Sequence, residues 1–391
     1  MDKQTIRDID LKGKRVIIRV DFNVPQDDDL NITDTTRIEA ALPTIKYILG
    51  QNASLILMSH LGRPKGKVVK KLSLEPVAKE LTCLLDQEVR LVKDYINENI
   101  PGLHPGEVIL LENLRFHSEE KANDPQFANK LADLADVYVD DAFGTAHRSH
   151  ASTVGITKYL PAVSGFLIEK ELDYLGQTLS HPKKPFVAIV GGSKISTKIT
   201  VLESLLDKVD TLIIGGGMTY TFCKGEGWLI GDSLFEESYL EMAKGLIEKA
   251  KQKGVELLIP VDHMIADKFD NDARTKVVIG DIPDEFIGMD IGPKTIELIN
   301  IKLKRAKTVL WNGPLGVFEM ENFSKGTFSI AKTLGEIDAV TIVGGGDSVS
   351  AIKQSGVADK ISHISTGGGA AIEFIEGKKL PGIEALNNKV E

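Results

Sequence analysis

The sequence predicts an α/β protein with two domains, each built around its own parallel β-sheet. The first observation is length, because 391 residues exceed what one ordinary hydrophobic core accommodates. The second is that short apolar runs alternate with helix-like segments in two separate sets, as expected of parallel sheets covered by helices on both faces. The third is an uneven distribution of cations, since eight of the ten arginines lie in the first 150 residues. We therefore expect the two halves to bind different ligands.

The strands are predicted from short apolar runs typical of buried strands. In the first half these runs cover residues 15–20, 54–59, 88–93, 107–112 and 137–140. The second half repeats the pattern at residues 186–190, 211–214, 256–261, 308–311, 339–343 and 361–365. Two such sets predict two doubly wound, Rossmann-like parallel-sheet domains.

A helix is predicted to join the two sets of strands. Between them, Phe166, Leu167, Leu172, Leu175 and Leu179 recur at roughly helical spacing before a proline-bearing segment that ends the helix. We place the first domain at residues 1–170 and the second at residues 171–379, beginning with this helix and its hinge.

Composition limits the class of protein and its partners. Hydrophobic residues make up 42% of the chain and charged residues 26%, as in soluble globular proteins. Cys83 and Cys223 are far apart and in no metal or redox spacing, which favours a reducing, cytoplasmic location. No apolar run approaches the roughly 20 residues of a membrane span, and the charged first residues are unlike a signal peptide. A net charge of −9 argues against nucleic acids and anionic membranes as partners.

Polar residues after the strands of the first half predict an anion site. In open parallel sheets, ligands bind outside the carboxyl ends of the strands. The residues there include Asp21, Asn23, Arg37, His60, Arg63, Arg115, His147, Arg148 and His150. A single arginine or histidine at a strand end is more often a surface or structural residue. Several guanidinium groups at one edge, each able to engage two oxygens, predict a site for a small polyanion.

Glycines follow the strands of the second half. They lie in the segments 191–194, 215–217, 311–319, 344–348 and 366–370. Glycine lets backbone N–H groups approach a ligand closely, and helix N-termini favour negative charge, so this edge suits the phosphates of a nucleotide. Asp347 has two interpretations, as the N-cap of the following helix or as a Mg²⁺ ligand. Glu319 is either a solvated loop residue or an acceptor for a ribose hydroxyl.

Two familiar nucleotide motifs do not match these glycines. A P-loop needs glycine directly before its lysine and serine or threonine directly after it, but Lys194 stands between Ser193 and Ile195. The dinucleotide fingerprint fails at GGGMTY, where Tyr220 takes the place of the last glycine, on a later strand than the fingerprint requires.

Eight motifs together resemble those of the phosphoglycerate kinase family, in the same order and at similar spacing. They are RVDFNVP, SHLGRP, LRFH, DAFGTAHRSHAST, GGSKISTK, IIGGG, WNGPLGVFE and VGGGDS. The resemblance runs from end to end of the chain. Two departures are Thr35, where the family leads us to expect an acid, and Asp140, where it leads us to expect Asn.

The resemblance implies a set of site residues. The phosphoglycerate site would comprise Asp21, Phe22, Asn23, Arg37, His60, Leu61, Gly62, Arg63, Arg115 and Arg148. The nucleotide site would comprise Lys198, Gly216, Asn312, Glu319, Gly345, Gly346, Asp347 and Ser348, with Asp347 as the ligand of Mg²⁺. Arg37, Lys194 and Lys198 would be catalytic, and His60 would bind substrate without transferring a proton.

The activity implied is reversible phosphoryl transfer between 1,3-bisphosphoglycerate and Mg-ADP, giving 3-phosphoglycerate and ATP, in glycolysis and gluconeogenesis. The acceptor is an ionised oxygen and the leaving group a carboxylate, so no general base is needed. Catalysis then rests on in-line positioning and charge stabilisation. The family also implies a monomer, hinge bending that closes the domains over both ligands, and a C-terminal tail, residues 380–391, that packs on the first domain.

Two alternatives stay open at this stage. One is a kinase of the same architecture acting on another carboxylate or acyl phosphate. The other is a nucleotide-binding protein without enzymatic activity.

Overall fold

The computed structural model describes residues 3–97, 100 and 102–389. The chain forms two compact units: unit 1 consists of Met1–Asp173 with Lys379–Glu391, and unit 2 of Tyr174–Lys378. Each unit contains a six-stranded parallel sheet with flanking helices, which confirms the predicted fold class. Within the described residues, no helix combines the length and the apolar character that a membrane span requires.

The sheet of unit 1 contains the five predicted strands and one more. Its strands are β1 (Arg15–Arg19), β2 (Ser54–Met58), β3 (Val89–Val92), β4 (Val108–Leu111), β5 (Val137–Asp140) and β6 (Ala162–Ser164). Their order is β3-β4-β2-β1-β5-β6, and every pairing is parallel. The strand β6 was not predicted because three residues are too short to form a recognisable apolar run. The chain proceeds from β1 to one side and later returns to its other side, so the topological switch point lies between β1 and β5.

Helices cover this sheet and present apolar stripes to it. They are α1 (Thr36–Gly50), α2 (Glu75–Leu85), α3 (Ser118–Ala122), α4 (Pro125–Ala132) and α5 (Phe166–Glu171). In α1 the buried Ile38, Ala41, Ile45 and Ile48 recur at helical spacing and join the core of the sheet. The start of α4 is set by Asp124, whose carboxylate accepts hydrogen bonds from the first free N–H groups of the helix.

The sheet of unit 2 has the strands β7 (Phe186–Val190), β8 (Thr211–Ile214), β9 (Glu256–Leu258), β13 (Thr308–Asn312), β14 (Val340–Gly344) and β15 (His363–Ile364). Their order is β15-β14-β13-β7-β8-β9. All six were predicted, although β9 ends before Pro260, which has no N–H to donate to a neighbouring strand. The switch point here lies between β7 and β13. The helices are α6 (Ile199–Leu205), α7 (Thr219–Gly225), α8 (Leu240–Lys253), α9 (Pro293–Leu303), α10 (Lys325–Leu334), α11 (Gly346–Gln354) and α12 (Gly369–Ile375).

Unit 2 also contains a small antiparallel sheet that the sequence did not predict. Its strands, β10 (Asp262–Ala266), β11 (Thr275–Ile279) and β12 (Ile287–Ile291), pair in the order β11-β10-β12. The edge strand β11 is largely exposed, so it lacks the continuous apolar run that marks the other strands.

The segment between the two sheets is helical from Phe166 to Ser180, as the apolar spacing predicted. Its first part is α5, and residues Leu172–Thr178 continue it as a π-helix. The described C-terminal residues include a short helix, α13 (Pro381–Glu384), and belong to unit 1. There Gly382 donates its N–H to the carbonyl of Ala146 at 2.8 Å, and Asn387 donates to the carbonyl of Ala162 at 2.9 Å.

Candidate functional site

An arginine cluster lies at the carboxyl edge of the unit 1 sheet. It comprises Arg19, Arg37, Arg115 and Arg148 grouped around His60. Burial, followed by the charges of these four arginines, holds the pKa of His60 well below its usual range. The imidazole is therefore neutral at pH 7. The positive charge of this edge belongs to guanidinium groups, which favours a ligand with several negative charges.

Two sets of hydrogen bonds hold the cluster in place. Asp21 follows β1 and accepts a hydrogen bond from Nη1 of Arg37 at 2.6 Å. Oδ1 of Asn23 accepts a hydrogen bond from the N–H of Gly62 at 2.8 Å. The carbonyl of Gly62 in turn accepts a hydrogen bond from Nη1 of Arg115, also at 2.8 Å. Burial together with the neighbouring arginines lowers the pKa of Arg115 to about 10. Asp21 and Asn23 thus orient the site as well as line it.

Arg19 was not predicted as a site residue, yet it belongs to the cluster and is fully buried. Its Nη2 donates to Nδ1 of His60 at 3.0 Å, and its Nε donates to Oγ of Ser152 at 3.0 Å. A further guanidinium hydrogen bond goes to the carbonyl of Val20. A buried arginine needs such partners because an unpaired charge in the interior is costly.

The compensating negative charge comes from Glu120, which is also fully buried. Its carboxylate accepts the N–H of Ser152 at 3.0 Å and the Ser152 hydroxyl at 2.6 Å, and His150 lies 3.5 Å away. Burial alone would raise the pKa of Glu120, but the hydrogen bonds and charges of His150, Arg19 and Ser152 outweigh it and lower the pKa. The only sequence signal for this buried network was Arg19, a charged residue at the end of an apolar strand, in the motif RVDFNVP.

The other predicted residues of this edge contribute less directly. The side chains of Phe22 and Leu61 lie in the hydrophobic core, so only their backbones are left for a ligand contact. Arg63 is exposed. Arg148 donates from Nε to Nε2 of His147 at 3.1 Å. A larger cavity of about 570 Å³ lies elsewhere in unit 1, but its lining carries both charge signs and none of the predicted site residues.

A glycine cavity of about 250 Å³ lies at the switch point of the unit 2 sheet. It brings together six predicted residues: Lys198, Asn312, Gly345, Gly346, Asp347 and Ser348. The structure adds Gly191, Gly192, Gly313, Pro314, Gly368, Gly369 and Ile372. Most of these added residues belong to glycine motifs visible in the sequence, but only the fold shows that the motifs meet. The cavity is small and lined largely by glycine backbone, as expected of a phosphate site.

Hydrogen bonds fix the cationic and polar groups of the glycine cavity. Lys198 donates from Nζ to Oδ1 of Asn312, and Asn312 donates from Nδ2 to the carbonyl of Gly344 at 3.0 Å. Burial lowers the pKa of Lys198, while the negative charges of Asp347 and Glu376 oppose that shift. Helix α11 begins beside these groups, and its N-cap Gly345 has φ 91°, a conformation that strongly favours glycine. The free N–H groups of its first turn can hold an anion.

Asp347 lies inside the first turn of α11 and lines the glycine cavity. The helix is capped by Gly345 without a side-chain hydrogen bond, so the interpretation of Asp347 as an N-cap is wrong. Among the described residues, no group of three or more metal-ligating side chains occurs. One exposed carboxylate beside a phosphate-sized cavity nevertheless fits Mg²⁺, which is usually held by one or two carboxylates together with substrate phosphates and water.

The remaining predicted residues of unit 2 are not part of the cavity lining. Lys194 is exposed and precedes the 3₁₀ turn Ile195–Thr197. Gly216 has φ 68°, and a Cβ there would lie 2.6 Å from the carbonyl oxygen of Gly192, so it supports the cavity wall from behind. Glu319 is exposed on the loop after β13.

Comparisons with known proteins agree with this architecture. The phosphoglycerate kinase family model matches residues 6–378. A phosphoglycerate kinase of Acidobacterium capsulatum is 56% identical over 404 residues, covering 100% of both chains. Cytosolic phosphoglycerate kinase 3 of Arabidopsis thaliana is 57% identical over 392 residues, covering 98% of both chains.

A solved structure is also similar over nearly the whole chain. The phosphoglycerate kinase of Coxiella burnetii has a TM-score of 0.92 and 44% identity, with 98% of both chains covered. With two parallel-sheet units, an arginine cluster at one edge and a glycine cavity at the other, the chain belongs to the phosphoglycerate kinase family.

Proposed function

We propose that this protein transfers a phosphoryl group reversibly between 1,3-bisphosphoglycerate and Mg-ADP, giving 3-phosphoglycerate and ATP. The observation that carries the proposal is the occurrence, in one chain of this family, of two chemically different anion sites at the switch points of two sheets. One site offers guanidinium groups and the other offers backbone amides with lysine.

The arginine cluster is assigned to phosphoglycerate. This ligand carries a carboxylate and a phosphate, both of which suit the bidentate donors of arginine. His60 contributes a neutral imidazole, because its lowered pKa means that it carries no positive charge near pH 7. The assigned set also includes Asp21, Phe22, Asn23, Leu61, Gly62 and Arg63.

The glycine cavity is assigned to the nucleotide phosphates, with Lys198, Gly345, Gly346 and Ser348 as contacts. Gly216, Asn312 and Glu319 belong to the same proposed site. Asp347 would hold Mg²⁺, which when bound neutralises phosphate charge and orients the phosphates.

The chemistry needs no proton transfer from the protein, because the attacking and leaving oxygens are ionised. Arg37 and Lys194 would stabilise the charge on the transferring phosphoryl group, and Lys198 would bind the nucleotide phosphates beside that group. His60 donates a hydrogen bond to the substrate and exchanges no proton. The contribution of this chain is therefore position and charge.

In-line transfer further requires both ligands to meet with water excluded. We therefore include hinge-bending closure driven by both ligands in the proposal. The proposal also includes a monomeric state and a cytoplasmic location. Two cysteines without a partner in the described residues, and relatives that include cytosolic kinases, support that location.

The direct test is a coupled assay with 3-phosphoglycerate and Mg-ATP, followed by a panel of other carboxylic acids. We expect turnover with 3-phosphoglycerate and at least about 10³-fold lower kcat/KM with acids that lack its phosphate, because arginines left unpaired in the site are costly. Well-folded protein without turnover on 3-phosphoglycerate would refute the proposal. Preference for another acid would replace the substrate and keep the reaction class.

A further inference from the structure

The 3₁₀ turn Ile195–Thr197, which lies between Lys194 and Lys198, is held by a carboxylate 40 residues further along the chain than Ser196. Glu236 accepts the N–H of Ser196 on Oε2 at 2.9 Å and the Ser196 hydroxyl on Oε1 at 2.7 Å. Ser196 lies midway between Lys194 and Lys198. One carboxylate therefore holds both the N–H and the hydroxyl of the residue between the two lysines.

Glu236 is itself tied to the body of unit 2. Its N–H donates to Oγ1 of Thr221 at 3.1 Å, and Thr221 is a buried residue of α7. Burial acts to raise the pKa of Glu236, but the hydrogen bonds from Ser196 and the charge of Lys194 outweigh it and lower the pKa. The carboxylate is therefore ionised at pH 7 and accepts both hydrogen bonds in their stronger, charge-assisted form.

The other hydrogen bonds of this turn shape it without anchoring its centre. Thr197 donates from Oγ1 to the carbonyl of Lys194 at 2.9 Å, and Lys198 donates its N–H to the carbonyl of Ile195 at 2.8 Å. Both bonds stay inside the turn. Among the described residues, the ammonium group of Lys194 makes no hydrogen bond or ion pair, so its placement depends on the backbone of the turn and on the nearby charge of Glu236.

We propose that Glu236 is a positioning residue for phosphoryl transfer, which by clamping Ser196 sets where Lys194 and Lys198 present their ammonium groups. The inference rests on the proposed function, in which these lysines face the transferring group and the nucleotide phosphates. A displacement of about 1 Å in such a group can cost about 10²-fold in rate. Glu236 is not among the residues assigned to either ligand, and it acts through the turn and through its charge on Lys194.

The test compares four single variants, and the double variant Glu236→Ala with Ser196→Ala, with the wild-type protein. Glu236→Ala removes the clamp, Glu236→Gln keeps one acceptor oxygen, and Ser196→Ala removes one of the two hydrogen bonds. Glu237→Ala is the matched control, because it removes the same charge from the adjacent exposed position.

We expect Glu236→Ala to lower kcat about 10- to 100-fold with KM for Mg-ATP changed less than about threefold. Glu236→Gln and Ser196→Ala should lose less, and Ser196→Ala should cost nothing further in the Glu236→Ala background. Glu237→Ala should match the wild type.

Amide hydrogen exchange in the ligand-free protein tests the clamp without activity. The Ser196 amide should exchange about 10-fold faster in Glu236→Ala than in Glu237→Ala, since its hydrogen bond is lost. Equal exchange, or faster exchange with unchanged kcat, would overturn the inference while leaving the proposed function intact. Absence of transfer by the wild-type protein would defeat the proposed function and the positioning role together.

Discussion

Arg19 donates a hydrogen bond from Nη2 to Nδ1 of His60 across 3.0 Å, and both side chains are buried. Arginine has donors only, so Nδ1 must be an acceptor and the ring proton of the neutral imidazole must lie on Nε2. The protonation pattern of His60 therefore follows from its neighbour. A histidine in this state offers the substrate a hydrogen-bond donor that does not depend on pH near neutrality.

The first prediction is that ¹⁵N NMR shows His60 as the neutral, Nε2-protonated tautomer at pH 7 and still at about pH 6, where an ordinary histidine becomes largely charged. Its pKa lies well below that of the unfolded chain because of burial and the surrounding arginines. Below about pH 6.5 the unfolded chain binds a proton that the folded chain does not, so acidification destabilises the fold. A Nδ1-protonated ring, or titration near pH 6.5, would contradict the hydrogen-bond assignment. The exposed His181 serves as the internal comparison.

The second prediction concerns Arg37, which pairs with Asp21 at 2.6 Å on the unit 1 edge. Arg37→Ala should lower kcat about 10³-fold and raise KM for 3-phosphoglycerate far less, because an arginine that meets the transferring phosphoryl group acts in the transition state. Steady-state kinetics measures both constants. Arg90→Ala, on the exposed face of β3, is the control for loss of a positive charge. A variant with weaker substrate binding and preserved kcat would make Arg37 a ground-state ligand.

The third prediction is that Asp347→Asn raises the Mg²⁺ concentration needed for half-maximal activity by about 10-fold or more, since a carboxylate ligand is lost. Stability should change by less than about 0.5 kcal/mol, because the side chain is exposed and does not cap α11. Titration of Mg²⁺ at fixed ADP gives the requirement, and thermal unfolding gives the stability. Asp359→Asn is the control for loss of an exposed carboxylate. An unchanged Mg²⁺ requirement would remove Asp347 from the proposed metal site.

The fourth prediction concerns Asp140, where the family resemblance leads us to expect Asn. The side chain is fully buried, and burial raises its pKa to about 6. Between about pH 4 and pH 6 the folded chain keeps a proton that the unfolded chain releases, so raising the pH through this window lowers stability. The loss above pH 6 is on the order of 3 kcal/mol.

Asp140→Asn removes this titration. Urea unfolding should show the variant gaining stability relative to the wild type between pH 4.5 and pH 8, whatever the constant cost of burying the amide. Asp28→Asn, on an exposed loop, is the control for loss of a surface carboxylate. A difference between Asp140→Asn and wild type that is the same at both pH values would mean that Asp140 keeps an ordinary pKa.

The fifth prediction is that compaction in small-angle scattering requires both ligands. Each ligand alone is assigned to one unit and therefore gains little from a closed state, whereas the two together can stabilise it. We expect the largest decrease in radius of gyration with 3-phosphoglycerate and a Mg-nucleotide together. Full compaction by either ligand singly would show that one site alone drives the hinge.

The sequence determined the α/β class, all eleven strands that were predicted, and the chemistry of the two edges. These features depend on local pattern: apolar runs specify buried strands, and arginine or glycine after a strand remains at the carboxyl end of that strand wherever the strand lies in the sheet. The glycine motifs at 191, 312 and 345 were visible for the same reason, and the fold brought them together in one cavity.

Only the tertiary structure decided which of these residues act through others. Arg19 reads as one charge in an apolar strand, and its contacts with His60 and Ser152 join residues 41 and 133 positions apart. Glu236 carries no motif, and its bond to Ser196 depends on how α7 packs beside the lysine turn. Asp347 looked equally suited to cap a helix or bind a metal until the start of α11 was known. Local sequence encodes residue type and secondary structure, whereas partner, tautomer and orientation arise from burial and from contacts between distant segments, which exist only once the sheets have formed.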